Sequence, residues 1–297
     1  MQTKFFPKIA TLILAVFTTI VSWAQDMSEV QIKSLPVSGN VYMLEGRGGN
    51  IGVSVGEDGI FIIDDQFAPL SDKIIAAVKA LNNGPLKYVV NTHYHGDHSG
   101  GNENMTAAGA TIIAHQNVRL RLETTKTRQN TDRPKEALPI ITFNDQLNIY
   151  MNGEQVAVFH VDNAHTDGDA LLYFTQSNVL HTGDTFFNGR YPYIDLNSGG
   201  SVDGYITAVT KGLMLLDNDS KIIPGHGPIA NKVAYTDFLN MLTELRDNMQ
   251  AAIDAGKTLE EVRKDESITK KYDDLDYGSG FINSERMRET LYKSLTN

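Results

Sequence analysis

The chain contains no cysteine. Disulfide staples, zinc ribbons, a thiolate nucleophile and every sulfur metal ligand are therefore excluded, as is a lipid-modified cysteine at the N-terminus. Positive charge is short as well, because 26 Lys and Arg against 36 Asp and Glu leave a formal charge of -10. Gripping phosphates needs a basic face, so a nucleic-acid partner is disfavoured, and an acidic balance of this size ordinarily serves solubility. No block of like charges marks a tail. Past residue 24 there is no apolar run near the ~20 residues that a spanning helix requires. Internal repeats and low-complexity stretches are missing too.

What is present begins with an address label. Lys4 and Lys8 precede an apolar run over residues 9–21, and Ser22 and Ala24 put small residues where a signal peptidase reads. Residues 1–24 are expected to be a cleaved signal peptide, leaving Gln25 as the mature start. The run is too short for a membrane anchor. Export to the periplasm or the medium is expected, with no membrane attachment after cleavage.

Residues 25–297 are expected to form one domain of alternating strands and helices. Short β-rich runs at 41–44, 51–55 and 60–63 are separated by Gly-rich turns. Ser71 is expected to cap a helix with Ile74, Ile75, Val78 and Leu81 on one face, stopped by Gly84 and Pro85. A strand at 87–90 follows, then strands near 111–114, 156–161, 171–174 and 179–181. Tyr205, Ala208, Val209, Gly212, Leu213 and Leu216 fall at helical spacing. A last strand at 221–223 precedes a helical C-terminus from residue 233, with a capping box from Thr258 to Glu261. Two rounds of strands followed by helix suggest two packed sheets with helices outside.

The chemistry is concentrated after the strand at 87–90. His93, His95 and His98 place three imidazoles, with Asp97 among them, within six residues. Imidazole nitrogen and carboxylate oxygen are zinc's usual partners. Residues two apart on an extended segment point the same way, so His93 and His95 can grip one ion together. Gly96 can turn the backbone so that Asp97 and His98 face a second. Further candidates follow other strands: His165, Asp184 and His226, the last within Pro224-Gly225-His226-Gly227. His115, His160 and His181 read as structural. Asp167 and Asp169 either orient His165 or form its turn. Phe186, Phe187, Arg190 and Tyr191 either line a pocket or pack the core.

The ordered set H-x-H-x-D-H, then His, Asp and His, resembles the signature of the metallo-β-lactamase superfamily. The resemblance runs from His93 to His226 and implies an αββα sandwich, an α/β fold with the metals at one edge of two mixed sheets. It implies that His93, His95 and His165 hold a first ion and that Asp97, His98 and His226 hold a second, with Asp184 bridging. Two zinc ions per chain are expected, and Asp64 matches an aspartate that supports a ligand histidine.

A water shared by two such ions loses a proton near neutral pH, giving a hydroxide that attacks a carbonyl, with Asp97 placed to handle protons. A small-molecule substrate is expected, and a β-lactam is the first reading. Ser99 to Asn102 looks like the run seen in β-lactamases, and Arg190 would take the drug's carboxylate. Two departures count against it. Asp184 stands where the best-known subclass has cysteine, and no lysine occurs between Asp184 and Lys211. A lactone or thioester hydrolase is the alternative, and an iron-dependent persulfide dioxygenase is a rival of another class. Oligomeric state is left open.

Overall fold

Alternation within single strands explains how this sequence builds two sheets and three apolar layers. In the strand Gly59–Ile63, Phe61 and Ile63 point one way and Ile60 and Ile62 the other, yet all four are buried. A strand apolar on both faces must be covered on both faces. Here a second sheet covers one face and helices the other.

The computed structural model describes residues 27–127 and 130–296. The expected signal peptide and mature start lie outside the described residues. One sheet has seven strands in sequence order: β1 (Lys33–Ser38), β2 (Val41–Glu45), β3 (Ile51–Gly56), β4 (Gly59–Ile63), β5 (Leu86–Asn91), β6 (Thr111–His115) and β7 (Ile141–Phe143). The first four pair antiparallel and β4 to β7 parallel. The other sheet holds β8 (Gln146–Met151), β9 (Glu154–His160), β10 (Ala170–Phe174), β11 (Val179–His181), β12 (Lys221–Ile223) and β13 (Ala230–Asn231), paired in that order. Between the sheets, Met43, Phe61, Ile63 and Val90 meet Val158, Leu172, Phe174 and Val179.

Helices α1 (Ser71–Leu81), α2 (Gly96–Ser99), α3 (Asn102–Ala107) and α4 (Gln116–Thr124) come from the first half of the chain. Ile74 and Val78 of α1 and Met105 of α3 cover the outer face of the first sheet. Helices α5 (Val202–Leu213), α6 (Lys232–Asp254), α7 (Leu259–Lys264), α8 (Lys270–Asp273) and α9 (Ser284–Thr296) follow. Tyr205, Val209, Phe238, Leu242 and Leu291 pack from them onto Leu171, Leu180 and Ile222 of the second sheet. The layers run helix, sheet, sheet, helix, as the alternation predicts.

Some expectations shift. Ser71 is the first residue of α1 rather than its cap; a single turn of 3-10 helix enters from Ala68–Leu70, and the Ser71 hydroxyl accepts from Asn104 instead. Leu216 falls beyond the end of α5. The Thr258–Glu261 capping box forms as expected. No helix among the described residues is long and apolar enough to cross a membrane.

Candidate metal centre

Five strands release their chains at one edge of the sandwich. Asp64 follows β4, the histidine-rich run follows β5, His165 follows β9, Asp184 follows β11 and His226 follows β12. Their side chains converge into two groups of potential ligand atoms, His93, His95, His165 and Asp184 in one, and Asp97, His98 and His226 in the other. All seven residues expected from the sequence are thereby brought together.

The local geometry differs from expectation at Gly96. It opens the short helix α2 after an extended His95, and its φ is not positive. Helix onset therefore separates Asp97 and His98 from His93 and His95. A glycine does matter at Gly49 in the β2–β3 loop, where an added Cβ would stand 2.0 Å from the His98 ring. At Gly225 it would stand 2.2 Å from Asp184 Oδ1. Only a bare backbone passes so close to these two side chains.

Each histidine of the run is held by the ring nitrogen that faces away from the cluster. The Thr92 hydroxyl donates to Asp64 Oδ2 and lies 3.1 Å from His93 Nδ1, which turns His93 Nε2 inward. His95 Nε2 lies 3.0 Å from Asp195 Oδ2, leaving Nδ1 inward. His98 Nδ1 lies 2.7 Å from Asp64 Oδ2, and His165 Nδ1 lies 2.7 Å from the Tyr193 carbonyl, leaving Nε2 inward in both. Such outer partners fix the tautomer and orientation of a metal-binding imidazole. Asp64 adopts a φ of 65°, a left-handed conformation that aspartate tolerates better than most side chains, and also accepts from the Thr92 backbone at 2.7 Å.

Most of the inward atoms do not satisfy one another, although His165 Nε2 and His95 Nδ1 lie 2.9 Å apart. His93 Nε2, His98 Nε2 and Asp184 Oδ1 are buried without a hydrogen-bond partner. Asp184 Oδ1 lies 3.0 Å from His98 Nε2 and 3.3 Å from His226 Nε2, while Oδ2 lies 3.6 Å from His165 Nε2 and 3.8 Å from His93 Nε2. Asp97 Oδ2 is 3.5 Å from His226 Nε2. Ligands ~2.1 Å from a tetrahedral zinc stand roughly 3.4 Å apart, so these spacings suit ions between them. Orphaned buried donors of this kind are costly unless something else occupies their lone pairs. The donor set fits two divalent cations.

Electrostatics divide the cluster. Burial, reinforced by neighbouring imidazoles, pulls His93 well below the usual histidine range, and burial pulls His165 down to about 4. Both present neutral lone pairs. Burial works the same way on His98 and His226, but Asp184 and other carboxylates outweigh it. They raise His98 well above normal and His226 to about 9. Burial would raise Asp97, yet His98 and His226 hold it down at about 2. The His98 and Asp97 side calls for positive charge.

Asp195, Thr92 and Gln66 escaped the sequence reading. Asp195 is buried and also accepts from the Tyr94 hydroxyl at 3.2 Å. Gln66 donates to the Gly49 carbonyl at 2.7 Å and accepts from Arg47 N, tying the β2–β3 loop over the cluster. An aspartate eleven residues past Asp184 in a loop carries no motif. Asp169 forms the turn, accepting from the backbone of His165 and Thr166, and Asp167 pairs with Arg121. His181 is engaged at both nitrogens by backbone, a structural role. The aromatic stretch splits: Phe186 packs against Tyr235 and Phe238, whereas Phe187 stacks on His226 at 4.8 Å. Arg190 is exposed.

Comparison with known proteins agrees with this geometry. The sequence model described as "Metallo-beta-lactamase superfamily" matches residues 35–226, which include all seven clustered side chains. The chain belongs to that superfamily. Among curated proteins it is 28% identical over 174 residues to a hydroxyacylglutathione hydrolase of Polaromonas sp., covering 57% of this chain and 59% of that protein. It is 28% identical over 186 residues to another of that name from Nitrosococcus oceani, covering 62% of each. A beta-lactamase-like protein 2 homolog of Caenorhabditis elegans is 27% identical, over 58% of this chain and 54% of its own length. The chain thus spans about 60% of the length of the first two relatives. Among solved structures, a metallo-beta-lactamase from Pontibacter korlensis aligns with a TM-score of 0.62 at 18% identity, over 72% of this chain and 99% of that one. The sec-alkylsulfatase Pisa1 from Pseudomonas sp. aligns at 0.65 and 15% identity, over 88% of this chain and 50% of its own. At these identities the structures share the fold.

Proposed function

We propose that this protein is an exported hydrolase of small acyl compounds that works with two zinc ions. The observation that carries this reading is the Asp184 carboxylate, whose two oxygens face the two histidine groups separately. His93, His95 and His165 would hold one ion, Asp97, His98 and His226 the other, and Asp184 both. The ions supply Lewis acidity, acidifying water and polarising a carbonyl. The chain's own residues do the rest. Asp64 and Asp195 hold His98 and His95 in register, and Phe187 shields one face of the His226 ring from water. Asp97, partly exposed beside His226 and held as an anion, can take a proton at Oδ2 and pass it to a departing group.

Of the acyl classes, a thioester or a related ester has the wider support, since two of the similar curated proteins are named hydroxyacylglutathione hydrolase. The β-lactam reading is favoured by one observation, the exposed Arg190 three residues before Tyr193, whose ring stacks on His95. Metal content decides first. Native mass spectrometry is expected to show close to two zinc ions per chain, and one iron without zinc would replace the hydrolase reading with persulfide dioxygenation. A thioester, an acyl-lactone and a chromogenic cephalosporin assayed side by side then decide the class, with the thioester expected to turn over. Cephalosporin turnover alone would make the β-lactam reading the right one.

A further inference from the structure

The segment after Asp184 meets the C-terminal helices at the mouth of the cluster, beyond the stretch matched by the superfamily. At one end of the segment Phe187 covers His226. At the other, Tyr193 stacks on His95 with centroids 5.8 Å apart and meets His165 edge-on at 5.6 Å. From the opposite side comes Phe281, whose ring meets Tyr193 at 5.7 Å and 90° yet remains 69% exposed. Arg286 of α9 lies 4.9 Å over that ring and donates to the Phe281 carbonyl at 3.1 Å. On the other flank, Arg190 packs beside Gly280, where an added Cβ would touch its Cδ at 3.6 Å.

An exposed aromatic ring therefore lies under the Arg286 guanidinium next to the candidate metal ligands, with Arg190 packed against the adjacent Gly280. Neither guanidinium has an ion-pair partner among the described residues. Arg119, Arg121, Arg246 and Arg263 all pair with carboxylates in the same acidic chain. The arrangement adds little to folding, because the ring stays mostly exposed and Arg286 meets only that ring, its carbonyl and the field of Glu289 on its own helix. The two arms are nevertheless held together: Tyr191 and Ser284 both donate to Asp273 Oδ1 at 2.6 Å, and Tyr191 N donates to the Tyr277 carbonyl. One carboxylate beneath the rim fixes the strand of chain bearing Arg190 and the one bearing Phe281 and Arg286. Preorganised exposed groups of this composition suit a ligand.

We propose that Tyr193, Phe281, Arg190 and Arg286 form a subsite for substrates that carry an aromatic or similarly apolar portion beside a carboxylate. The ring lies against Phe281 and Tyr193, and a guanidinium fork takes the carboxylate by paired hydrogen bonds. The assignment of this ligand as a substrate rests on the hydrolase reading above; its binding does not.

The test uses two thioesters that differ by one charge, with 4-mercaptobenzoate or 4-mercaptobenzamide as the thiol half, on the metal-loaded protein. The carboxylate is expected to be preferred in kcat/KM by about tenfold, mostly through KM, given two partly solvated charge contacts. In the Arg190→Ala/Arg286→Ala double variant that ratio falls toward one, and in Arg190→Glu/Arg286→Glu it inverts. Arg190→Lys/Arg286→Lys retains part of it. Calorimetric binding of 4-acetamidobenzoate against 4-acetamidobenzamide reads the same preference without turnover. Equal treatment of the two ligands by the native protein, or a preference that survives the double alanine variant, overturns the subsite. Binding discrimination without cleavage of either thioester would keep the subsite and sink the thioester reading instead.

Discussion

The two halves of the cluster solve one problem in opposite ways. His93 and His165 are fully buried and neutral, and with His95 they form a trio in which each outer nitrogen is hydrogen-bonded to a fixed partner. Asp97, His98 and His226 mix charges, and the Asp97 and His226 side chains remain 28% and 20% exposed. Neutral nitrogens in a dry pocket bind a cation without first losing a proton. On the other side, carboxylates hold His98 and His226 in their protonated range, so an ion entering there must displace protons. With ions bound, the first half would hold its ion away from water and the second would leave its own open to solvent.

Removing the residue that both halves share breaks the comparison most severely. Asp184→Ala is expected to empty the second site first and to lower hydrolysis by more than about tenfold, with the fold intact by circular dichroism. Unchanged metal content and rate would show that Asp184 is not the shared ligand.

A smaller loss isolates the first half. Asp195→Asn leaves the shape of the loop but weakens the charge-assisted contact to His95, and first-ion affinity should fall about tenfold in chelator competition. Second-ion affinity should move less. If both ions weaken equally, Asp195 acts on the whole loop and the two halves are not independent.

The smallest effect shows what a buried histidine does with no ion beside it. His115 stacks on His160 with centroids 3.8 Å and planes 4° apart, and burial, then His160, holds it down at about 4. The unfolded imidazole takes a proton near its ordinary pKa of about 6.5, and the folded one does not until about 4. The unfolded state thus binds more protons in that window, and stability falls as pH drops through it. His115→Gln should recover about 1 kcal/mol of that loss, a figure reduced for partial solvent screening, in urea midpoints compared at pH 7 and pH 4.5. An identical acid loss in the variant would remove His115 as its source.

The histidine run, its aspartate and the later His165, Asp184 and His226 were legible because ligand chemistry restricts residue type. Only nitrogen and carboxylate donors serve, and they follow strands whose β-branched runs are themselves readable. The strands β4, β5, β11 and β12 were visible for the same reason, being apolar on both faces. The edge strands β7 and β8 were not, since β7 is only three residues long and both carry apolar or aromatic residues, Ile141 and Tyr150, on the exposed face. The helices α2 to α4 are short and polar, and α2 took the role assigned to a glycine turn.

Sequence by itself determined which atoms can hold a cation, the order in which the chain delivers them, and the double-sided burial that demands two sheets with helices outside. Tertiary structure alone decided which histidine shares a site with which, because His165, Asp184 and His226 lie far from His93 along the chain and meet it only where strands of both sheets end at one edge. It alone recruited Asp195, Gln66 and the rim of Tyr193, Phe281 and Arg286. Those residues act through distance and orientation, which packing sets, and their types are common enough that no local pattern in the chain distinguishes them.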